Sequence, residues 1–310
     1  MFLYGDNRTK GSDEPNPDEP RSLLDPRVLP TADALGGGAG DDTILGYALD
    51  DTLSGGDGDD GLGGGGGSDR LRGGAGDDML SGGGGYATEM DDDALRGEEG
   101  DDTLYGHYGA DLLDGGEGND QLGWRSSFDD WQDGALDTMR GGAGDDTLYG
   151  GPGDLLDGGP GDDRHVGLFG GGGPTILPDA EGGRDTLQIE VPNGTTTLDL
   201  MVGAVARAYL RASTPWDDAF VLDRVRLRGD DDAEDISAAM GRVPPTAGWR
   251  GYAHAELLGG GGDDTLTSGA GADTLTGGDG VDEFRVGSYL HSQTITDFAA
   301  GEVIRVSSYY

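Results

Sequence analysis

Residues 37–45 read GGAGDDTIL, and the same nine-residue pattern returns as GGDGDDGLG at 55–63 and GGAGDDMLS at 73–81. The shared pattern is Gly-Gly-x-Gly-x-Asp-x-apolar-x, and its positions are numbered 1 to 9 below. After an insertion the pattern resumes at Gly97, and after a long gap it returns at Gly259. Sixteen units keep this register, so the repeat decides the fold.

The pattern predicts a six-residue turn followed by a three-residue strand, with the side chain at position 8 pointing inward. Ile44, Leu53, Leu62 and Leu71 hold this position in four successive units. Two units make one coil, so units two apart stack on each other. The glycines permit turn conformations that expose backbone carbonyls toward the next coil. We therefore predict an all-β fold built as a solenoid.

The composition excludes several other classes. The 310 residues include 65 glycines, and 61 acidic against 20 basic residues give a formal charge of −41. Gly and Asp are poor helix formers, which excludes a helix bundle. The charge argues against nucleic acid and anionic membranes as partners and favours cations. No stretch approaches the ~20 apolar residues of a membrane span, and without cysteine there are no disulfides or thiolate sites.

These nonapeptides resemble the RTX calcium-binding repeats, and the resemblance implies a calcium-binding parallel β-roll solenoid. The resemblance implies that Ca²⁺ lies between stacked turns, bound by backbone carbonyls and the position-6 carboxylates, because calcium takes six to eight oxygen ligands. One predicted column contains Asp42, Asp60, Asp78, Asp102, Asp120, Asp146 and Asp163. The other contains Asp51, Asp69, Asp93, Asp111, Asp137 and Asp154. The late units add Asp264, Asp273 and Asp282.

A single aspartate in such a turn would more simply cap its own backbone, but the phasing of so many favours calcium. Without a cation the stacked carboxylates would repel each other, and one Leu or Ile per nine residues offers little apolar burial in compensation. We therefore expect calcium binding to supply much of the folding free energy. The turn at 46–49 lacks most of the pattern and the unit at Asp154 is one residue short, so we expect some sites to stay unfilled.

The composition divides the chain into four segments. They are a flexible leader over 1–35, the β-roll over 36–167 with insertions near 86–91 and 124–136, a mixed non-repeat cap over 168–257, and terminal repeats with a secretion signal over 258–310. Within the cap, Phe220 to Arg228 reads as a strand and Asp235 to Met240 as a helix.

Two groups outside the repeat are candidate partner sites. The second insertion carries Trp124, Phe128 and Trp131, which could stack on a sugar but more simply cover an apolar edge of the solenoid. The strand in the cap places three arginines, at 224, 226 and 228, on one face. This face would be solvated or paired with the acids at 230–232; alternatively, it binds an acidic glycan or another surface partner.

The chain end carries a further resemblance. Residues 282–284, 294–298 and 301–304 read DEF, TITDF and GEVI and resemble the final strands of serralysin-type β-rolls. This resemblance implies an uncleaved C-terminal signal, export by a type I secretion apparatus, and folding in external calcium. The N-terminal residues lack a Sec-type signal, which agrees with that route. We therefore expect a secreted, extracellular protein.

Motifs of common enzymes are missing from the sequence. No histidine begins a His-Glu-x-x-His motif, no Gly-x-Ser-x-Gly elbow occurs, and the single lysine, Lys10, lies outside any phosphate loop. His165 falls at position 8 and is predicted to be a packed ring. The sequence thus favours a non-enzymatic calcium-binding protein. The alternatives are a polysaccharide- or protein-acting extracellular enzyme with its site in 168–257, and a glycan-binding adhesion module.

Overall fold

The computed structural model describes most of the repeats and parts of the segments around them. The described residues are 2–4, 32–83, 90–123, 135–168, 175–176, 184–191, 197–201, 207–212, 224–229, 235–237, 254–269, 272–287 and 293–307. These residues form strands and turns and contain no helix, so none of them belongs to a helix able to cross a membrane. The chain divides into two compact units, Met1–Thr138 and Met139–Tyr310.

The first unit contains the first block of repeats. Its strands are β1 (Phe2–Tyr4), β2 (Ala34–Ala39), β3 (Thr43–Ala48), β4 (Thr52–Asp57), β5 (Gly61–Gly66), β6 (Arg70–Ala75), β7 (Met79–Gly83), β8 (Ala94–Glu99), β9 (Thr103–His107), β10 (Leu112–Glu117) and β11 (Gln121–Leu122). Odd-numbered strands pair in parallel in one sheet and even-numbered strands in another. Each pair of repeats is therefore one coil of a parallel β-roll, as the sequence predicts.

The strands are longer than the predicted three residues. Most of them run through positions 7 to 9 of one unit and positions 1 to 3 of the next, as in β3 and β5. Pairing between these two strands joins Leu45 to Gly63, passes over the position-1 glycines, and resumes at Tyr47 and Gly65. The stacked coil imposes this pairing on glycine-rich residues whose own strand propensity is low. The turn is thus only three residues long.

The second unit continues with the same kind of pairing. Its strands are β12 (Thr138–Ala143), β13 (Thr147–Gly150), β14 (Leu155–Asp157), β15 (Arg164–Leu168), β16 (Thr175–Ile176), β17 (Thr186–Val191), β18 (Thr197–Met201), β19 (Arg207–Ala212), β20 (Arg224–Arg228), β21 (Asp235–Ser237), β22 (Ala255–Gly261), β23 (Thr265–Thr267), β24 (Thr274–Asp279), β25 (Glu283–Gly287), β26 (Thr294–Ile295) and β27 (Val303–Ser307). One sheet runs in steps of two from β13 to β27, and a second runs from β18 to β26 in the same way.

The core of each unit is a row of position-8 side chains. Ile44, Leu53, Leu80 and Leu104 are fully buried in the first unit, and Phe284 is fully buried in the second. Neighbours along a sheet stack directly, because the parallel register places Ile44 opposite Leu62. The predicted inward direction of position 8 is confirmed.

The segment predicted as a mixed cap differs from expectation in its described residues. Its strands continue the parallel pairing of the roll, since β17 pairs with β15, β19 pairs with β17, and β21 pairs with both β19 and β23. The helix predicted from Asp235 is wrong over Asp235–Ser237, which is strand β21; 238–240 lie outside the described residues. Pairing with two neighbouring strands outweighs the local helical preference there.

The leader also contains a strand that its sequence did not predict. Phe2–Tyr4 forms β1 and pairs in parallel with β3. A three-residue strand gives too short a pattern to be recognised, and its pairing partner lies about forty residues further along the chain.

Candidate metal centre

Position-6 aspartates in the first column connect each coil to the next through a side-chain hydrogen bond. The N–H of Asp42 donates to Oδ1 of Asp60 at 2.7 Å, and that of Asp60 donates to Oδ1 of Asp78 at 2.7 Å. The ladder continues to Asp102 and Asp120, each at 2.8 Å. The step from Asp78 to Asp102 spans 24 residues instead of 18. The first insertion is therefore accommodated without breaking the column.

The second column is built in the same way. The N–H of Asp51 donates to Oδ1 of Asp69 at 2.7 Å, and Asp69 donates to Asp93 at 2.7 Å. Asp93 then donates to Asp111, and Asp111 to Asp137, each at 2.8 Å. The structure thus stacks these aspartates in the two columns that the register predicts.

The second carboxylate oxygen of several of these aspartates is buried without a hydrogen-bond partner. It is Oδ2 in Asp60, Asp69, Asp78, Asp102 and Asp282. These side chains are only 1–3% exposed. An ionised oxygen buried without a donor is costly, and such a group in a native fold requires an explanation such as an ion.

At Asp60, Asp69 and Asp102, a main-chain carbonyl of the next coil lies beside the same position-1 glycine as Oδ2. A methyl group placed on Gly55 would lie 2.7 Å from the carbonyl oxygen of Gly73 and would also clash with Oδ2 of Asp60. The same arrangement recurs one unit on, where a methyl group on Gly64 would meet Oδ2 of Asp69 and the carbonyl oxygen of Gly82. The position-1 glycine therefore leaves open a small space between a carboxylate and a carbonyl of adjacent coils. We call this space the cradle.

The donor set of the cradle suits a hard cation. No group of three or more His, Cys, Asp or Glu side chains converges as a metal site among the described residues, so any ion there must be bound partly by backbone oxygens. Carboxylate and carbonyl oxygens are the ligands that calcium prefers, whereas zinc prefers nitrogen and sulfur. The chemistry of the cradle therefore fits calcium.

Comparison with known protein families agrees with this geometry. The family model described as RTX calcium-binding nonapeptide repeat (4 copies) matches residues 36–71, 64–88, 90–122, 133–164 and 257–288. The chain contains RTX calcium-binding nonapeptide repeats. A search of curated proteins found no match.

The RTX turns depend on left-handed backbone at positions 2 and 4. In a regular turn, Gly56 and Gly58 have φ of 126° and 124°, values that residues with a side chain rarely adopt. In the irregular turn at 46–49, Tyr47 and Leu49 take these positions with φ of 79° and 72°. The turn thus keeps its left-handed φ values and its ladder bond despite the missing glycines. That the calcium site of this turn stays unfilled remains a prediction.

Burial shifts the titration of the stacked aspartates. It raises the pKa of Asp69 and Asp102 to about 7, that of Asp78 to about 6 and that of Asp93 to about 8. The N–H donated by the preceding coil opposes the shift in each pKa, and the charges of neighbouring aspartates add to it. Stacking carboxylates in this fold without a cation therefore favours their protonated form.

These shifts predict an opposite pH dependence for the ion-free and the calcium-bound fold. Because the folded pKa lies above the unfolded value of ~3.9, stability from protonation is full below pH ~4 and is lost as the pH rises through 6–8. In EGTA we expect more β-sheet signal at pH 5 than at pH 8.

Calcium must displace these protons when it binds. The calcium concentration at the midpoint of folding should therefore fall as the pH rises, and binding near pH 7 should release protons to the buffer. Circular dichroism and calorimetry in two buffers measure both effects, and an ion-free β signal that rises with pH would contradict the shifts.

The second unit retains the ladder in part. Asp146 donates its N–H to Oδ1 of Asp163 at 2.8 Å, and Asp264 donates to Asp282 at 3.0 Å. Asp154 and Asp273 differ, because Oδ2 of each accepts a backbone N–H from its own turn, that of Gly151 or Gly269. In the short unit and in the turn with serine at position 1, the aspartate therefore caps the backbone of its own turn. This is the simpler role expected of a single turn aspartate.

Among the described residues, three polar members of the ladder were missed by the sequence reasoning. The N–H of Asp33 donates to Asp51 at 2.6 Å, Asp185 accepts from Asp163 at 3.1 Å, and the Gln293 amide oxygen accepts from Asp273 at 2.9 Å. Each is followed by a small residue and then Leu or Ile, as in a regular unit. Positions 6 to 8 of the pattern could therefore have identified these residues, but the glycines of positions 1 to 4 are missing or incomplete before them.

His165 lies in the core as predicted. Its ring is fully buried between the stacked Leu148 and Leu187, and neither ring nitrogen has a hydrogen-bond partner. Burial lowers its pKa to about 4, so the ring is neutral at pH 7. It contributes no base or ligand that the described structure could use.

Replacing His165 by leucine should therefore stabilise the second unit. Leucine continues the row of Leu148 and Leu187 and removes two buried polar atoms, a gain of about 1–3 kcal/mol. Urea unfolding in saturating calcium would measure the change in the free energy of unfolding. Leu148→His is the matched reverse change, and we expect it to lower that free energy. A less stable His165→Leu variant would mean that the imidazole has a partner.

The remaining candidate sites are only partly described. Arg226 in strand β20 forms an ion pair with Glu256 of β22 at 2.7 Å, and the acids at 230–232 that the sequence offered as partners lie outside the described residues. The aromatic residues Trp124, Phe128 and Trp131 lie outside the described residues. The arginine face is therefore partly neutralised within its own sheet, and the aromatic insertion stays a prediction.

Proposed function

We propose that this protein is a calcium-dependent folding switch, secreted and non-enzymatic, whose two columns of position-6 aspartates bind Ca²⁺ outside the cell. The observation that carries the proposal is the cradle, in which a buried Oδ2 such as that of Asp60 faces a glycine carbonyl. An ionised Oδ2 would not be left there without a cation at low free-energy cost.

The proposed ligands are the position-6 carboxylates together with the position-1 carbonyls of the next coil. The carboxylates are Asp42, Asp51, Asp60, Asp69, Asp78, Asp93, Asp102, Asp111, Asp120, Asp137, Asp146, Asp163, Asp264, Asp273 and Asp282. We propose weaker sites at Asp154 and Asp273, because a local N–H already bonds Oδ2 there. Bound calcium supplies positive charge between coils.

The thin core supports the proposal that calcium drives folding. Each unit of nine residues buries one large side chain, such as Leu53 or Leu71, and its glycines lose more conformational freedom on ordering than any other residue. The aspartate columns oppose folding when ionised, as their raised pKa values indicate. Calcium removes that repulsion and adds binding free energy to the folded state alone.

The test is a calcium titration of the purified chain at pH 7.5. We expect a cooperative gain of β-sheet circular dichroism between ~0.1 and 10 mM calcium, the range of extracellular calcium modules, and its loss on adding EGTA. Magnesium at the same concentrations is the control, since its shorter bonds and octahedral geometry fit the carbonyl-rich cradle poorly. A spectrum that is indifferent to calcium would overturn the proposal.

Secretion is proposed from chemistry and resemblance together. A chain whose fold requires millimolar calcium would stay unfolded where calcium is scarce and fold where it is plentiful. The similarity of residues 282–304 to exported β-roll proteins supports a type I secretion apparatus as the route. Expression beside such a transporter, with and without residues 288–310, should show secretion of the full chain only.

A further inference from the structure

The aspartates at position 5 form a second ladder on the exposed side of the first unit. Oδ1 of Asp41 accepts the N–H of Asp59 at 3.1 Å, and Oδ1 of Asp59 accepts that of Asp77 at 3.0 Å. The series continues from Asp77 to Asp101 at 2.9 Å and from Asp101 to Asn119 at 2.7 Å. Each position-5 carboxylate therefore lies fixed beside the next coil, although these residues are exposed.

The ladder runs in the direction opposite to that of position 6. A position-6 carboxylate accepts from the coil before it, whereas a position-5 carboxylate accepts from the coil after it. The second unit has the same arrangement, with Asp162 accepting from Arg184 at 2.9 Å and Asp263 from Val281 at 2.8 Å. Two opposed ladders thus connect neighbouring coils, one buried and one exposed.

The hydrogen bond alone does not require a charged residue. In the second column, the Ser68 hydroxyl takes the position-5 place and accepts the N–H of Asp92 at 3.2 Å. A neutral acceptor therefore completes the ladder, yet most described position-5 acceptors are aspartates. The negative charge at position 5 is therefore not required for the hydrogen bond.

The charge balance of each column indicates a role for the position-5 carboxylate. Each coil contributes one position-6 carboxylate to each column, so one divalent cation per coil in each column leaves that column with one excess positive charge per coil. The position-5 carboxylate of the same turn supplies the second negative charge, and the ladder holds it next to the buried column.

We propose that the position-5 aspartates are positioning residues for calcium, fixed counter-charges that neutralise the loaded column and set its affinity. This inference rests on the proposed calcium sites. The position-5 aspartate, an exposed acid in many turns, then acts on the bound calcium through its charge and is not a direct ligand.

The test replaces Asp59, Asp77 and Asp101 together by asparagine, which keeps the acceptor oxygen and removes the charge. We expect the calcium midpoint to rise about tenfold, the order expected for removing three charges several ångströms away in a water-like dielectric. The shift should shrink in 1 M KCl, because salt screens exposed charges. The spectrum at saturating calcium should stay unchanged.

The matched control removes three charges from position 3 of turns in the same column. Asp57, Glu99 and Glu117 are exposed, and Asp57→Asn with Glu99→Gln and Glu117→Gln should shift the midpoint less than twofold. A shift equal to that of the position-5 variant would mean that only net charge matters and would overturn the proposal.

A second variant separates charge from hydrogen bonding. If alanine at Asp59, Asp77 and Asp101 raises the midpoint and asparagine does not, the ladder is purely structural and the proposal is wrong. Should the triple variant fail to fold, the single change Asp77→Asn gives the same test with an expected shift of about twofold. No calcium response in the unmodified chain would overturn both proposals, whereas a normal response with an unshifted asparagine variant overturns this one alone.

Discussion

Replacing Asp60, Asp78 and Asp102 together by asparagine should remove three calcium ions from the first unit and leave the ion-free chain more folded than before. Asparagine keeps an oxygen to accept the N–H of the preceding coil, so the ladder seen between Asp60 and Asp78 survives. Its amide NH₂ group takes the place of Oδ2. This group repels a cation, and it presents a hydrogen-bond donor on the side of the glycine carbonyl.

The gain without calcium follows from the charges that are lost. Burial and neighbouring carboxylates raise the pKa of Asp78 to about 6 and that of Asp102 to about 7, so at pH 8 the ionised forms oppose folding. A neutral amide carries no such penalty. Equilibrium dialysis should give the lower stoichiometry, and circular dichroism in EGTA the larger β signal.

Alanine at the same three positions is the informative comparison. It removes the ladder bonds as well as the charge and leaves the N–H groups of the preceding coils buried without acceptors, at a cost of about 1–3 kcal/mol each. We expect the alanine variant to be less folded than the asparagine variant at every calcium concentration. An asparagine variant that binds its full complement of calcium would show that these carboxylates are not the ligands.

The repeat made most of the fold predictable, because its two key positions are fixed by residue chemistry. Position 8 must be apolar to be buried, as Leu53 and Leu71 show, and position 6 must accept an N–H from the preceding coil and carries the carboxylate that we propose binds calcium. Strand length was not predictable. Residues such as Gly65 and Gly66 have no strand propensity of their own, and they pair only because Tyr47 and Ala48 of the preceding coil lie beside them.

Long-range partners account for the remaining differences. Asp185 lies in the ladder because the roll continues beyond the last regular repeat, and the Glu256 partner of Arg226 comes from a strand thirty residues away. The strand at Asp235 depends on two neighbours of which its own sequence carries no sign. A local pattern cannot identify a partner supplied by another coil.

Replacing Gly55 by alanine should abolish one calcium site and destabilise the loaded fold by about 1–3 kcal/mol, the usual cost of overpacking. The φ of Gly55 is not among the left-handed values, so the backbone there would accept a side chain. The methyl group instead enters the cradle, 2.7 Å from the carbonyl oxygen of Gly73 and against the Asp60 carboxylate. Both are fixed by the ladder and by strand pairing, and neither can move far.

Gly61→Ala provides the matched control, because Gly61 also lies in a paired strand without left-handed φ, and a methyl group there would meet only the carbonyl oxygen of Asp42 at 4.0 Å. We expect it to change stability by less than about 0.5 kcal/mol, or to stabilise slightly by restricting the unfolded chain. Urea unfolding at several calcium concentrations measures both variants. If position 1 needed glycine only for flexibility, the two variants would behave alike. A cradle for the ion predicts that Gly55→Ala is less stable at every calcium concentration, because of the clash, and that the loss grows with calcium, because the site is blocked.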